Sequence, residues 1–263
     1  MDGFLEQLSL IAHEFKTPVD IIGNTAQLIL KSVELDRLSD EKLVISMEAI
    51  MYYCLRLELL TDNIITASKV EYGYLDSKNV RRDLSEFLTC FIKNVEPFCN
   101  KNSFAVSLTN NLKENGLCCD YNMLQTIVLN LVSNAIKYND KADKKINIIL
   151  NEDSDSVIIT VRDNGIGMSE KTQKTIFDKF ARAENFTTRN IEGVGLGLTI
   201  SKNLAEAMRG SIKVKSKLKT GSEFILTLPK DTLPTSVMYE VDEEYFSPAS
   251  IMVSLSGIRK NYR

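Results

Sequence analysis

Residues 157–167, Val-Ile-Ile-Thr-Val-Arg-Asp163-Asn-Gly165-Ile-Gly167, decide the fold class of the larger part of this chain. The run from Val157 to Arg162 is rich in β-branched residues and predicts a strand. A carboxylate at the end of that strand, followed by two glycines, lets the backbone approach a flat ligand closely. An ordinary Asp-Gly turn gives the same pattern, so this motif alone leaves both interpretations open.

Further helices and strands are predicted around this motif, and from about Val80 the pattern is mixed α/β. The last two strands are expected to form a hairpin across Lys219-Thr220-Gly221. The predicted helices span 83–98, 121–138 and 198–208, and the predicted strands span 103–109, 146–150, 157–162, 211–217 and 223–228.

The helix predicted over 121–138 carries a polar stripe. Asn130 and Asn134 are one helical turn apart, and Lys137 and Tyr138 lie one further turn along the same side. An ordinary solvated helix face is the simpler interpretation. Two amides, an amine and a phenol on one stripe would also suit phosphate oxygens and hydrated Mg²⁺.

A glycine-rich segment, Gly193-Val-Gly195-Leu-Gly197-Leu198, leads into the helix predicted over 198–208. Successive glycines leave backbone amides accessible, and a helix N-terminus favours anions. The spacing is not that of the dinucleotide fingerprint, and the Gly-Lys-Ser/Thr of a P-loop is absent. A flexible turn is the alternative interpretation.

The N-terminal part predicts two long amphipathic helices. Apolar residues recur at heptad-like spacings over 4–31 and again from Leu43 to Ile64. Ser39 or Asp40 is the expected N-cap of the second helix, and Gly73 the expected stop. A lone hairpin would leave much apolar surface in water, so we expect two copies to pair as a four-helix bundle, which makes the protein a homodimer.

His13, the one histidine of the chain, begins the segment His-Glu-Phe-Lys-Thr-Pro over 13–18. It is two positions from both Ile11 and Phe15, so it is expected to face solvent. Thr17 lies one turn later on the same face, and Pro18 is expected to bend the helix. A neutral imidazole is nucleophilic near pH 7, and an adjacent carboxylate can accept or hold its ring proton.

The 263-residue chain has 44% hydrophobic residues, 25% charged residues and a formal charge of −3, as in an ordinary globular protein. The near-balanced charge does not support bulk nucleic-acid binding. No apolar run approaches the ~20 residues that a membrane-spanning helix needs. We therefore expect neither a nucleic-acid partner nor a membrane segment in this chain.

The order of these motifs resembles that of the sensor histidine kinases of two-component systems. Phe177-Asp-Lys-Phe180, between the two glycine motifs, resembles their phenylalanine box. The resemblance covers residues 1 to about 229. It implies a dimerisation and histidine phosphotransfer domain of the HisKA type over 1–76 and a Bergerat-type ATP-binding α/β sandwich over 77–229, as in gyrase, Hsp90 and MutL. The extension over 230–263 departs from the family and has no implied role.

The resemblance also implies roles for three residues of the segment over 13–18 and for the two asparagines of the polar stripe. His13 would be phosphorylated, and Glu14 would be its acid/base partner. Thr17 would position water for dephosphorylation of a partner. Asn134, supported by Asn130, would bind Mg²⁺.

The remaining motif residues would hold ATP, according to the same resemblance. Asp163 would accept the adenine amino group, and Arg182 would approach the γ-phosphate. The other implied contacts are Lys137 and Tyr138 at the phosphates, Gly165 and Gly167 in the adenine pocket, Phe180 in the phenylalanine box, and Gly193, Gly195, Gly197 and Leu198 in the glycine-rich lid hinge.

The implied function is an ATP-dependent protein-histidine kinase that phosphorylates His13 and transfers the phosphoryl group to an aspartate of a response-regulator receiver domain. ATPases of the superfamily have a glutamate general base at the position of Asn130, and an amide cannot take a proton from water. The residues over 71–79 are the expected hinge between the two domains.

The expected location is the cytoplasm, or the cytoplasmic portion of a membrane-bound receptor. A dimeric ATP-binding scaffold that regulates a partner without efficient catalysis is the alternative.

Overall fold

The computed structural model describes residues 2–36, 38–75, 77–179, 181, 195–230 and 254–255. The chain divides into two compact units, Met1–Thr66 and Ala67–Arg263. No helix within these described ranges has a stretch that is both long enough and apolar enough to cross a bilayer.

The first unit is a helical hairpin, as the sequence predicts. Helix α1 spans Asp2–Glu34 and helix α2 spans Asp40–Glu71. Ser39 caps α2, since the Lys42 N–H donates to its Oγ at 3.3 Å. Past the end of α2, Gly73 has a φ of +70° and its N–H donates to the Val70 carbonyl at 3.1 Å, which is the expected glycine stop.

The second unit is an α/β sandwich built on a mixed sheet. Its five-stranded sheet has the order β2-β4-β5-β7-β6, in which β2 and β4 are parallel and the other neighbours antiparallel. Strands β1 and β3 form a separate two-stranded antiparallel sheet. The strands are β1 (Val80–Asp83), β2 (Phe104–Asn110), β3 (Gly116–Cys119), β4 (Lys144–Glu152), β5 (Ser156–Asp163), β6 (Ser211–Lys217) and β7 (Gly221–Pro229).

Helices cover one face of the large sheet. Helix α3 packs against β2, α4 packs against β5 and α6, and α6 also contacts β6 and β7. The helices are α3 (Leu84–Lys101), α4 (Tyr121–Lys137), α5 (Glu170–Thr175) and α6 (Gly197–Ala207). Between these layers lies a core whose alternate β4 residues Ile146, Ile148 and Leu150 are completely buried, which fixes the register of the strand.

The predicted helices α3, α4 and α6 and the five strands of the large sheet are confirmed within a few residues. Strands β1 and β3 and helix α5 are not predicted by the sequence. They are only 4, 4 and 6 residues long, too short to show a hydrophobic period.

Candidate functional site

His13 lies on the exposed side of α1. Its neighbour Glu14 forms an ion pair with Arg56 of α2, in which Arg56 Nη2 lies 3.3 Å from Glu14 Oε2. The Arg56 and Glu14 side chains are only 11% and 12% exposed, so water competes weakly for this pair. Arg56 thus holds the carboxylate that directly follows the exposed imidazole in sequence.

Thr17 and Pro18 modify the helical turn that follows His13. The Thr17 hydroxyl donates to the His13 carbonyl oxygen at 3.2 Å. Pro18 is buried and lacks an N–H, so it gives the Glu14 carbonyl no backbone donor. Helix α1 nevertheless continues through this turn to Glu34.

In the second unit, the predicted polar stripe of α4 contacts the start of α6 through Asn130. Asp120 caps α4 by accepting two backbone N–H groups of its first turn. The Asn130 Nδ2 donates to the Gly197 carbonyl at 3.2 Å and to Ser201 Oγ at 3.4 Å. Asn134 is half-buried one turn later. Asn130 therefore lies beside the glycine-rich N-terminus of α6, and Asn134 follows one turn later on the same face of α4.

The loop after β5 approaches the C-terminal end of α4. Asp163, at the end of β5, is 9% exposed, and its Oδ1 accepts the Gly165 N–H at 2.7 Å. Tyr138, which ends α4, accepts the Ile166 N–H at its carbonyl at 3.0 Å. A Cβ on Gly165 would lie 2.3 Å from that same carbonyl oxygen, so this close approach requires glycine.

Asp163 is a buried carboxyl with an altered acidity. Burial raises its pKa from 3.8 to about 6, while hydrogen bonds from the backbone N–H groups of Gly165 and Ser222 act in the opposite direction. A carboxylate has about four acceptor positions, and these two bonds leave capacity for another donor. The Asp163 carboxyl is therefore suited to accept a hydrogen bond from an N–H group of a ligand.

The β6–β7 hairpin holds this loop in place. Gly167 has a φ of +65°, and a Cβ there would lie 2.0 Å from the Lys217 carbonyl oxygen. Ser216 Oγ accepts the Met168 N–H at 2.8 Å and donates to the Gly221 carbonyl at 2.8 Å. The Gln173 side chain donates to the Ser216 carbonyl and accepts the Ser216 N–H, each at 3.0 Å. These bonds fix the loop after β5.

The N-terminus of α6 is suited to bind an anion. Gly195 has a φ of +75°, and among the described residues no side chain forms a cap bond at Gly197, where the helix begins. In its first turn Thr199 is 6% exposed, and its Oγ1 has no hydrogen-bond partner within the described part of the chain. Uncapped amides and a buried hydroxyl are donors that a phosphate could accept.

These donors fit a magnesium nucleotide. The Asn130 and Asn134 amide oxygens are hard ligands of the kind that Mg²⁺ takes alongside phosphates. The buried Asp163 carboxyl and the α6 amides suit the base and the phosphates respectively. Lys137 and Tyr138, both half-buried at the end of α4, and Leu198, half-buried in the first turn of α6, complete the described residues of the predicted set. Phe180, Arg182 and Gly193 lie outside the described residues.

Sequence comparisons agree with this geometry. Residues 119–232 match the model of the family described as histidine kinase-, DNA gyrase B- and HSP90-like ATPases. In an alignment 229 positions long that covers 84% of this chain, the sequence is 31% identical to the autoinducer 2 sensor kinase/phosphatase LuxQ of Vibrio vulnificus. The chain belongs to the sensor histidine kinase family. It spans 26% of the length of that relative.

Two solved structures of histidine kinases share the fold. Full-length ShkA in complex with AMPPNP has a TM-score of 0.63 and 22% identity, covering 85% of this chain and 45% of that chain. ThkA in complex with the response regulator TrrA has a TM-score of 0.60 and 22% identity, covering 86% of this chain and 61% of that chain. The histidine kinase architecture thus extends over most of the chain.

Several residues of the two sites are not singled out by sequence analysis. Arg56 is a charged residue between the apolar positions Cys54 and Leu57 of α2, which is a detectable signal of a buried ion pair. Ser216 and Ser222 are ordinary hairpin residues whose contacts with the loop depend on the sheet register, so their sequence positions give no comparable signal.

Proposed function

We propose that this chain is an ATP-dependent protein-histidine kinase of a two-component phosphorelay. It phosphorylates His13 and transfers the phosphoryl group to an aspartate of a response-regulator receiver domain. The observation that carries the proposal is the exposed His13, with Glu14 held beside it, in a chain whose ATPase-family domain has an amide at Asn130.

ATP is the proposed substrate of the α/β unit. Asp163 accepts the adenine amino group, while the α6 amides and the Thr199 hydroxyl donate to the phosphates. Asn134, with Asn130, holds Mg²⁺, which when bound neutralises charge on the phosphates. Lys137, Tyr138, Phe180, Arg182 and the glycines of the two loops have the roles that the family resemblance implies.

His13 is the nucleophile in the proposed reaction. A neutral imidazole nitrogen attacks the γ-phosphorus, the bond from that phosphorus to the β–γ bridging oxygen breaks, and ADP leaves. The other ring nitrogen gives its proton to the Glu14 carboxylate, which Arg56 Nη2 holds at 3.3 Å. Residues 71–79 are the proposed hinge between domains over 1–76 and 77–229, which brings the nucleotide to the histidine.

Asn130 favours transfer to histidine over hydrolysis of ATP. Its side-chain amide donates to the Gly197 carbonyl and Ser201 Oγ. An amide at this position cannot remove a proton from an attacking water. A glutamate there would permit hydrolysis, so the nucleophile in this chain is provided by His13.

The test is incubation of the chain with γ-labelled ATP and Mg²⁺. We expect acid-labile, base-stable label on the wild type, and none on His13→Gln or Asn134→Asp. Purified receiver domains are then added to follow transfer to aspartate. Label that survives His13→Gln contradicts the assignment of His13. ATP binding without transfer to any receiver domain favours the scaffold alternative.

The partners follow from the same proposal. The ThkA–TrrA complex is a precedent for pairing with a response regulator, and the proposed active form is a homodimer that pairs two hairpins in a four-helix bundle. The proposed location is the cytoplasm, or the cytoplasmic portion of a membrane-bound receptor.

Thr17 is proposed to position water when the kinase dephosphorylates its partner. Thr17→Ala should therefore keep autophosphorylation and reduce phosphatase activity by about tenfold or more. Thr61→Ala is a matched control, because the Thr61 hydroxyl makes the same kind of bond, to the Leu57 carbonyl at 2.8 Å. Equal loss of both activities in Thr17→Ala would show that the role of Thr17 is structural.

A further inference from the structure

Ser133 is a buried polar residue of α4 at the border of the side that faces the domain core. It is 4% exposed, although it lies two positions from both Leu131 and Ala135, which are buried in the core. Side chains two positions apart on an α-helix point roughly 160–200° away from each other. Ser133 therefore points away from Leu131 and Ala135 and lies at the edge of the core-facing side, one turn before the buried Ile136.

The segment that carries Ser254 and Leu255 covers Ser133. The Ser133 hydroxyl donates a hydrogen bond to the Ser254 carbonyl oxygen. Ser254 is 6% exposed and Leu255 is completely buried. Satisfying a buried hydroxyl and removing a leucine side chain from water both favour the docked arrangement.

The Ser133–Ser254 contact lies beside the polar stripe of α4. Ser254 itself lies beyond the part of the chain that matches the ATPase family. Ser133 directly precedes Asn134 and follows Asn130 by three positions, so it lies at the edge of the stripe. The family match ends at residue 232, and Ser254 lies 22 positions after that end. The docking surface on α4 is thus occupied by a segment outside the shared ATPase core.

We propose that the segment carrying Ser254 and Leu255 is an intramolecular strap that docks on α4 beside Asn130 and Asn134 and holds this helix in place. The strap acts through two contacts of different kinds. The Ser254 carbonyl fixes its position through Ser133, and the Leu255 side chain provides the apolar anchor.

The test is amide hydrogen exchange on the full chain, compared between α4 (Tyr121–Lys137) and α3 (Leu84–Lys101) of the same unit. Leu255→Asp should accelerate exchange in α4 by at least about tenfold and leave α3 nearly unchanged. Leu218→Asp is the matched control, because Leu218 is an exposed leucine in the same unit. Unchanged exchange in α4, or equal acceleration in α3 and α4, overturns the strap.

Two further variants keep the test decisive if Leu255→Asp does not fold. Leu255→Ala and Ser133→Ala remove one contact each and should accelerate α4 exchange less than Leu255→Asp, again relative to α3. The absence of acceleration in both would overturn the proposal.

A second measurement rests on the proposed function. ATP affinity should fall several-fold in Leu255→Ala, because the strap supports the helix that carries both asparagines. It should stay at the wild-type value in Thr109→Asp, which adds a charge at an exposed position of β2. If the wild type does not bind ATP, the proposed function fails while the exchange result still decides on the strap. Unchanged ATP affinity with accelerated α4 exchange would limit the strap to a structural role and overturn its link to nucleotide binding.

Discussion

The helical hairpin and the α/β unit bury their apolar side chains to very different extents. In the α/β unit Phe87, Phe91 and Leu124 are completely buried. In the described part of the hairpin Pro18 and Leu60 are the buried apolar residues, whereas Leu28 and Leu30 are each 64% exposed. A single copy of the hairpin thus leaves on its surface the kind of residue that the α/β unit encloses.

The two units therefore obtain their stability in different ways. The α/β unit forms its own core between a five-stranded sheet and α3, α4 and α6. The hairpin has two long helices and no third layer within its unit. Exposed apolar stripes on paired helices are typical of half of an interface, which is why we propose a four-helix bundle of two chains.

The largest expected effect comes from placing charges among the exposed apolar residues of α2. Met47 and Met51 are exposed and lie one turn apart on α2. Met47→Asp combined with Met51→Asp should weaken dimerisation about 1,000-fold, or about 4 kcal/mol, because four carboxylates would be buried in the bundle without partners. Sedimentation equilibrium measures the change from two chains to one.

Glu48→Ala is the control for this pair, because it changes an exposed residue of the same helix segment without adding a charge. ATP binding should persist in the double variant, since the α/β unit closes its own core. A double variant that stays dimeric would contradict pairing through this face of α2.

Acidification should have a smaller effect, which concerns the α/β unit only. It should lower ATP affinity by protonating Asp163. Burial raises the pKa of Asp163 from 3.8 to about 6. The ionised carboxylate is the stronger acceptor for the adenine amino group. ATP affinity should therefore fall by up to about tenfold between pH 7 and pH 5, which titration calorimetry can measure.

Asp163 should also make the stability of the α/β unit depend on pH, in the direction opposite to ATP affinity. Acidification should lower ATP affinity but raise the contribution of Asp163 to stability. The folded state binds the carboxyl proton of Asp163 more tightly than the unfolded chain does. The contribution of this group to the free energy of unfolding is therefore fully present below about pH 4 and is lost as the pH rises through about 6. Urea unfolding at each pH tests this, with Asp163→Asn as the variant that should lose both dependences. ATP affinity that is equally pH-dependent in Asp163→Asn would contradict the assignment.

Much of this architecture is readable from sequence because its signals are local. The heptad-like stripes predict α1 and α2, and the Ser39 cap and Gly73 stop follow from their residue types. The stripe from Asn130 to Tyr138 depends on helical spacing alone. The sequence therefore predicts which side chains share a face whenever they belong to one element.

The contacts that sequence reasoning misses join residues far apart in the chain. Glu14 and Arg56 are separated by 42 positions, and Ser133 and Ser254 by 121. The Gln173–Ser216 pair depends on how the loop after β5 meets the β6–β7 hairpin. Such pairings are set by tertiary packing and sheet register, which no local period specifies.

The smallest expected effect concerns a glycine of the hairpin and sharpens the comparison between the units. In the α/β unit a Cβ on Gly167 would collide with the Lys217 carbonyl oxygen, whereas a Cβ on Gly23 in α1 meets nothing within 4 Å in the single chain. Glycine within a helix costs about 0.5–1 kcal/mol relative to alanine. Gly23→Ala should therefore stabilise the hairpin by about that amount, measured by urea unfolding followed through hydrogen exchange in α1. A loss of stability instead would show that a second chain approaches the helix closely at Gly23, and so would place the bundle interface on this part of α1 rather than on the Met47–Met51 face.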